Sequence, residues 1–173
     1  PVIGQEASPV VVAYRKHAAN YRRILQGAFG TAAAERGGAS VPDHRAFEVA
    51  WALKLGYILY DDVPPNYIRA CGIEDTRDFG TDLVSCDRRG SAQVKLYGAD
   101  TRIDYADVAK FYLHSDLLGA TERRTLCTTP GAPLTRNARN AASLRDIDVR
   151  RSTLEDLVRE ALATEIAPEA PDA

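Results

Sequence analysis

A carboxylate, a carboxamide and an ammonium group stand close together in this chain, as Asp82, Gln93 and Lys95. They belong to two stretches, Gly80-Thr81-Asp82-Leu83 and Ala92-Gln93-Val94-Lys95. Between the two lies Asp87-Arg88-Arg89-Gly90, a composition that predicts a tight hairpin turn. Side chains alternate faces along a strand, so Gln93 and Lys95 share one face and Val94 takes the other. With a suitable hairpin register, Asp82 lies at the same edge. Hard oxygen donors suit Mg²⁺ or Mn²⁺. Such an ion polarises a phosphate and lowers the pKa of a bound water. A lysine beside it can orient that water and offset charge that grows on the phosphorus oxygens. The chemistry these residue types fit is phosphodiester hydrolysis. A buried polar cluster costs stability unless its groups are paired, which favours a functional reason for it.

The elements that must position these groups follow from periodicity and caps. Residues 9 to 35 contain a helical segment, with Tyr14, Tyr21, Ile24, Leu25 and Phe29 at roughly helical spacing. The run Gly37 to Ser40 reads as a linker or turn. Asp43 is the expected N-cap of a helix His44–Leu55, with Trp51 in its apolar face and Gly56 as its stop. A short strand Tyr57–Tyr60 is broken by Asp-Asp-Val-Pro-Pro, and a short helix covers Asn66–Cys71. Strands Thr81–Cys86 and Ala92–Tyr97 form the hairpin, and Asp78 before them reads as a loop residue. Asp104 caps a further helix that Gly119 closes. A strand Arg124–Thr128, a helix Thr135–Ala142, a strand Asp146–Val149 and a helix Thr153–Ala163 complete the order. This gives an α/β domain with a mixed central β-sheet flanked by helices. An accessory N-terminal helix and linker occupy residues 1–42, the core 43–165, and a disordered tail rich in Pro, Glu and Ala 166–173.

In that order the pattern resembles the PD-(D/E)XK nuclease superfamily, most closely its Mrr-like restriction endonuclease branch. There the second acidic position is commonly glutamine, giving Asp … Gln-x-Lys, matched here by Asp82, Gln93 and Lys95. Upstream, Phe47-Glu48-Val49-Ala50 looks like the first core helix of the branch. Downstream, Asp107-Val108 … Phe111 looks like its next helix, and Thr125 to Thr129 with Leu134 to Ala138 like its later strand, threonine pair and helix. The likeness spans roughly residues 43 to 150. It implies a restriction-endonuclease-like core and a metal-dependent endonuclease that acts on DNA, with Mg²⁺ or Mn²⁺ as cofactor. It further implies that Glu48 joins Asp82 and Gln93 at the metal. Because Gln93 is neutral, the affinity leans on Asp82, Glu48 and the Val94 carbonyl. A nuclease-fold module that binds nucleic acid without turnover is the alternative, motivated by that same neutral Gln93. Domains of this branch are often fused to helicase-type modules, and two-strand cutting by a single-site domain implies a homodimer, for which the N-terminal helix is the expected place.

Several cations and hydroxyls are candidates for the nucleic-acid backbone. Arg88 and Arg89 sit on the hairpin turn; Lys110, Arg136 and Arg139 are helix-borne; Thr128 and Thr129 follow a strand and can either donate to a phosphate or cap the turn. Tyr97 is expected half-buried at its strand end.

The bulk composition sets the limits. A chain of 173 residues with 45% hydrophobic and 27% charged content suits one soluble domain with a real core. A formal net charge of -2 excludes a polybasic DNA coat but leaves room for a locally basic face. No apolar run or leader pattern points to a membrane, so a cytoplasmic, nuclear or virion location is expected. The cysteines Cys71, Cys86 and Cys127 show no CxxC pairing, which argues against zinc or a disulfide framework. His17, His44 and His114 read as surface or cap residues.

Overall fold

One mixed sheet of five strands organises the computed structural model, which describes residues 9–30, 41–74 and 80–163. The elements run α1 (Pro9–Phe29), α2 (Asp43–Leu55), β1 (Tyr57–Leu59), α3 (Pro65–Ala70), β2 (Leu83–Ser85), β3 (Gly90–Lys95), α4 (Tyr105–Leu118), β4 (Arg123–Thr128), α5 (Arg136–Leu144), β5 (Ile147–Arg151) and α6 (Leu154–Ala163). Spatial order follows sequence order. The β1–β2 and β2–β3 pairs are antiparallel, whereas β3–β4 and β4–β5 are parallel. A short turn joins β2 to β3, whereas the β1–β2 connection runs through α3. The parallel half needs helical crossovers, which α4 and α5 provide.

Each face of the sheet has its own helical cover. On one face Tyr21 and Leu25 of α1, Phe47 and Trp51 of α2 and Leu157 of α6 bury against Leu59, Leu83, Ala92 and Val94. On the other, Val108 and Phe111 of α4 and Ala138 of α5 pack on Leu126 and Ile147. Ile68 of α3 and Leu118 close over Ile58 and Val84. The N-terminal helix therefore packs on the core through Tyr21 and Leu25. No described helix is long and apolar enough to cross a membrane.

Most expected termini hold to within a residue or two. Gly56 and Gly119 end α2 and α4 in the left-handed conformation, at φ 71° and 69°. Asp104 and Asp107 form a reciprocal capping box at the start of α4, and Thr135 caps α5. Two expectations are corrected. Asp43 is the first residue of α2 and not its cap: extended Pro42 ends the preceding chain, and its carbonyl accepts from Ala46 N–H at 3.0 Å. Asp43 instead places its carboxylate in the first turn, where the helix dipole favours it. His114, expected at the surface or a cap, is buried edge-on to the Tyr60 ring. The hairpin strands are also displaced: β2 is shorter than Thr81–Cys86, and β3 starts at Gly90, directly after the turn. The 37–40 linker, the Asp78 loop and the 166–173 tail lie outside the described residues.

Candidate metal centre at the open end of the hairpin

The hairpin turn closes one end of β2 and β3, and the site lies at the other. β2 stops at Leu83, but Asp82 continues its pairing with both neighbours. Its N–H donates to the Ala92 carbonyl at 2.9 Å, and its carbonyl accepts from Tyr60 N–H at 2.8 Å. The Asp82 carboxylate then turns onto β3 and accepts the Val94 N–H at 2.6 Å. A side-chain oxygen here replaces the backbone carbonyl that a longer β2 would have offered. In a strand the N–H and C=O of one residue point to the same side, so the Val94 carbonyl faces this edge too. Gly80 makes the approach possible. It has φ +96°, and a Cβ there would meet the α4 backbone at Lys110 and Phe111 at 3.1 Å.

Gln93 lies between these contacts on β3 and is 1% exposed. Its Oε1 is buried without a hydrogen-bond partner among the described residues. Lys95, two residues on, is half-buried, with Nζ 3.4 Å from Asp107 Oδ1 and 5.7 Å from the centre of the Tyr97 ring. Burial alone would lower the Lys95 pKa, but Asp107, Tyr97 and Asp82 outweigh it and hold the ammonium above its ordinary value. Lys95 is thus a fixed cation on this rim. Sequence reasoning missed Asp107 as part of the site because its helix-capping role accounts for it locally. The same carboxylate caps α4 through Oδ2 and meets Lys95 through Oδ1.

Glu48 reaches the same end of the sheet by a different route. α2 reverses at Gly56 into β1, so its early turns stand near the C-terminal end of β1, where Tyr60 bonds Asp82. Glu48 Oε2 accepts from Arg45 at 3.0 Å, and Arg45 also meets Asp61 Oδ2 at 3.3 Å. Burial raises the Glu48 pKa against the pull of Arg45. The structure thus brings Asp82, Gln93, Val94 and Lys95 together and sets Glu48 at the same end, engaged with Arg45. Among the described residues no three His, Cys, Asp or Glu side chains gather in one place. That follows from the chain itself, which has glutamine where a second strand carboxylate would stand. The donor set nevertheless fits a hard divalent cation: a carboxylate, a carbonyl that faces the same edge and a buried amide oxygen without a partner among the described residues.

The remaining candidates separate by position. Arg88 and Arg89 lie on the turn at the far end of the hairpin. Arg88 stacks over the Tyr67 ring at 5.1 Å, and Arg89 stands 3.9 Å from Glu122. Neither joins Lys95. The Thr128 and Thr129 hydroxyls donate to the carbonyls of Lys95 and Tyr97 and pin the end of β3. Lys110 is exposed on α4 beside Gly80, and Arg136 and Arg139 are exposed in the first turns of α5. Tyr97 is half-buried, and the cysteines are free.

A protein-family model described as a restriction endonuclease matches residues 58–168. The match takes in most of β1 and every element from α3 through α6, and leaves out α1 and α2, Glu48 included. No curated protein and no solved structure matches the chain.

Proposed function

The chain belongs to the restriction endonuclease family, in its Mrr-like PD-(D/E)XK branch, and from that premise we propose that it is a metal-dependent endonuclease that hydrolyses DNA phosphodiester bonds. The observation that carries this reading is the buried Gln93 Oε1, without a partner among the described residues, on the same strand end where the Val94 N–H holds the Asp82 carboxylate and Lys95 meets Asp107. Asp82, Gln93 Oε1 and the Val94 carbonyl would hold Mg²⁺ or Mn²⁺, with Glu48 completing the set once it leaves Arg45. A divalent ion bound there supplies Lewis acidity to the phosphate and acidifies a water. Lys95, kept charged and braced by Asp107, donates to the attacking water or to a phosphate oxygen and offsets negative charge as it develops. Lys110, Arg136 and Arg139 would hold the backbone by charge.

Relaxation of supercoiled plasmid in Mg²⁺, Mn²⁺ and EDTA tests the reading. Asp82→Asn and Lys95→Ala should each lower cleavage by about 100-fold or more, as loss of one electrostatic stabiliser commonly does. Unchanged activity in either variant would sink the assignment. A second reading, a binding module without turnover, draws on the neutral Gln93 and the Arg45–Glu48 pair. Calorimetric titration with Mn²⁺ separates the two, since wild-type protein that takes up no ion favours the second.

A further inference from the structure

We propose that the outer edge of β5 is a self-association edge, pairing antiparallel with β5 of a second copy about Val149. Strand β5 ends the sheet, and no described strand lies beyond it. Ser152 N–H donates to the Thr128 carbonyl at 3.0 Å, which fixes the parity of the strand. The backbone groups of residues 148, 150 and 152 face β4, so those of Ile147, Val149 and Arg151 face outward.

Charge selects among the ways two such edges can meet. Asp148 and Arg150 share one face, are 60% and 51% exposed, and pair with each other at 2.9 Å. Hydrogen bonding between the outward groups of two copies allows registers that differ by two residues. Centred on Val149, each Asp148 faces the second copy's Arg150, and Ile147 stands opposite Arg151. Centred on Arg150, two arginines face each other; centred on Asp148, two carboxylates do. Like charges directly opposite oppose pairing and unlike charges favour it. Charged residues on an edge strand ordinarily repel foreign strands. Here the same residues accept their own copy in a single register. The Arg151 side chain does not intrude, because it is held by the Thr129 and Ala132 carbonyls.

A two-fold axis through this pairing runs β5 of the two copies in opposite directions. The two Asp82–Gln93–Lys95 ends then lie on opposite rims of the joined sheet, so each site would act on its own duplex. The contact is short and falls below the roughly 1,200 Å² of standard stable interfaces, so the dimer should be reversible and concentration-dependent.

Sedimentation velocity on the full chain, from about 10 µM to 1 mM, reads the equilibrium directly. Wild-type protein should shift toward dimer across that range. Arg150→Asp, and separately Asp148→Arg, should each weaken association by about tenfold or more, through two lost pairs and two new repulsions. The double swap Asp148→Arg with Arg150→Asp should restore it to within about threefold, because the same register again faces unlike charges. Circular dichroism confirms that each variant is folded. A wild-type chain that stays monomeric at the top concentration overturns the proposal, as does either single variant that dimerises like wild type, or a folded double variant that remains monomeric.

Discussion

Replacing Gln93 by leucine should make the protein more stable without metal and less stable with it. Gln93 is 1% exposed, and its Oε1 has no partner among the described residues. Leaving a buried polar group unsatisfied costs about 1–3 kcal/mol. Leucine is close to glutamine in volume and carries no such oxygen. Any hydrogen bond of the amide nitrogen is lost as well, worth about 1 kcal/mol. The net gain in EDTA should therefore lie near the lower end, about 1 kcal/mol, a rise in Tm of roughly 2–4 °C for a chain of this size.

Mg²⁺ should reverse the order. An ion that binds only the folded state adds RT ln(1 + [L]/Kd), about 2.7 kcal/mol at a hundredfold excess over Kd. Wild type should gain this and the leucine variant should not, so their denaturation curves cross as Mg²⁺ is raised. Urea unfolding at fixed EDTA and at several Mg²⁺ concentrations measures both halves, and plasmid nicking should be lost in the variant. A Gln93→Leu protein that is less stable than wild type in EDTA, or that gains as much from Mg²⁺, would refute the inference that Oε1 is kept for an ion.

Three further outcomes can be measured by the same unfolding assay. The Tyr21 hydroxyl accepts Leu59 N–H at 2.8 Å and donates to Asp62 at 2.6 Å, so Tyr21→Phe should cost about 1–3 kcal/mol by orphaning a buried amide. A loss under about 0.5 kcal/mol would mean that α1 is not part of the β1 frame. Gly80→Ala should cost about 1–3 kcal/mol, from φ +96° and the 3.1 Å approach to α4, and should lower cleavage because Asp82 lies two residues on. Asp87 is held down to about 2 by the Ser85 hydroxyl and then by Arg123. Its folded pKa is depressed, so its contribution is complete above the unfolded carboxylate pKa and fades as pH falls through about 2. Because the side chain is 41% exposed, solvent screening limits that contribution to under about 1 kcal/mol. Asp87→Asn should therefore be less stable than wild type at pH 7, with the gap narrowing as pH drops from 5 toward 2; a constant gap would exclude the mechanism.

What could be read from the sequence is what short-range rules govern. The hairpin, the Gly56 and Gly119 stops, the Asp104 cap and the shared face of Gln93 and Lys95 each depend on residues a few positions apart. The partners that finish the site do not. Asp107 meets Lys95, and Arg45 bridges Glu48 to Asp61, only because the sheet and helices bring distant segments together. The distance of Arg88 and Arg89 from Lys95 is legible in the sequence as well. A hairpin turn stands at the closed end of its strands, and Gly90 lies three residues from Gln93, roughly 10 Å along an extended strand. The burial of His114 was hidden because α4 is covered on more than one side, so its apolar positions follow no single stripe.

The hairpin also contains its own control. At the closed end the Ser85 hydroxyl bonds Asp87 and accepts Gly90 N–H, and Asp87 takes both Arg89 N–H and the Arg123 guanidinium. The orphaned nitrogen there, on Arg88, lies over the Tyr67 ring, whose face attracts a cation. At the open end the Gln93 amide oxygen and the hydroxyl of Thr81, next to Asp82, are buried without partners among the described residues, as is the hydroxyl of Tyr60, whose N–H bonds the Asp82 carbonyl. The two ends belong to the same short strands, so strand propensity cannot explain the difference. Buried polar atoms are nearly always satisfied, so the open groups here call for a reason, and a bound ion is the one the proposed function supplies. The open end also carries the carboxylate and the lysine, so it is the end where a cation and a phosphate have reason to meet.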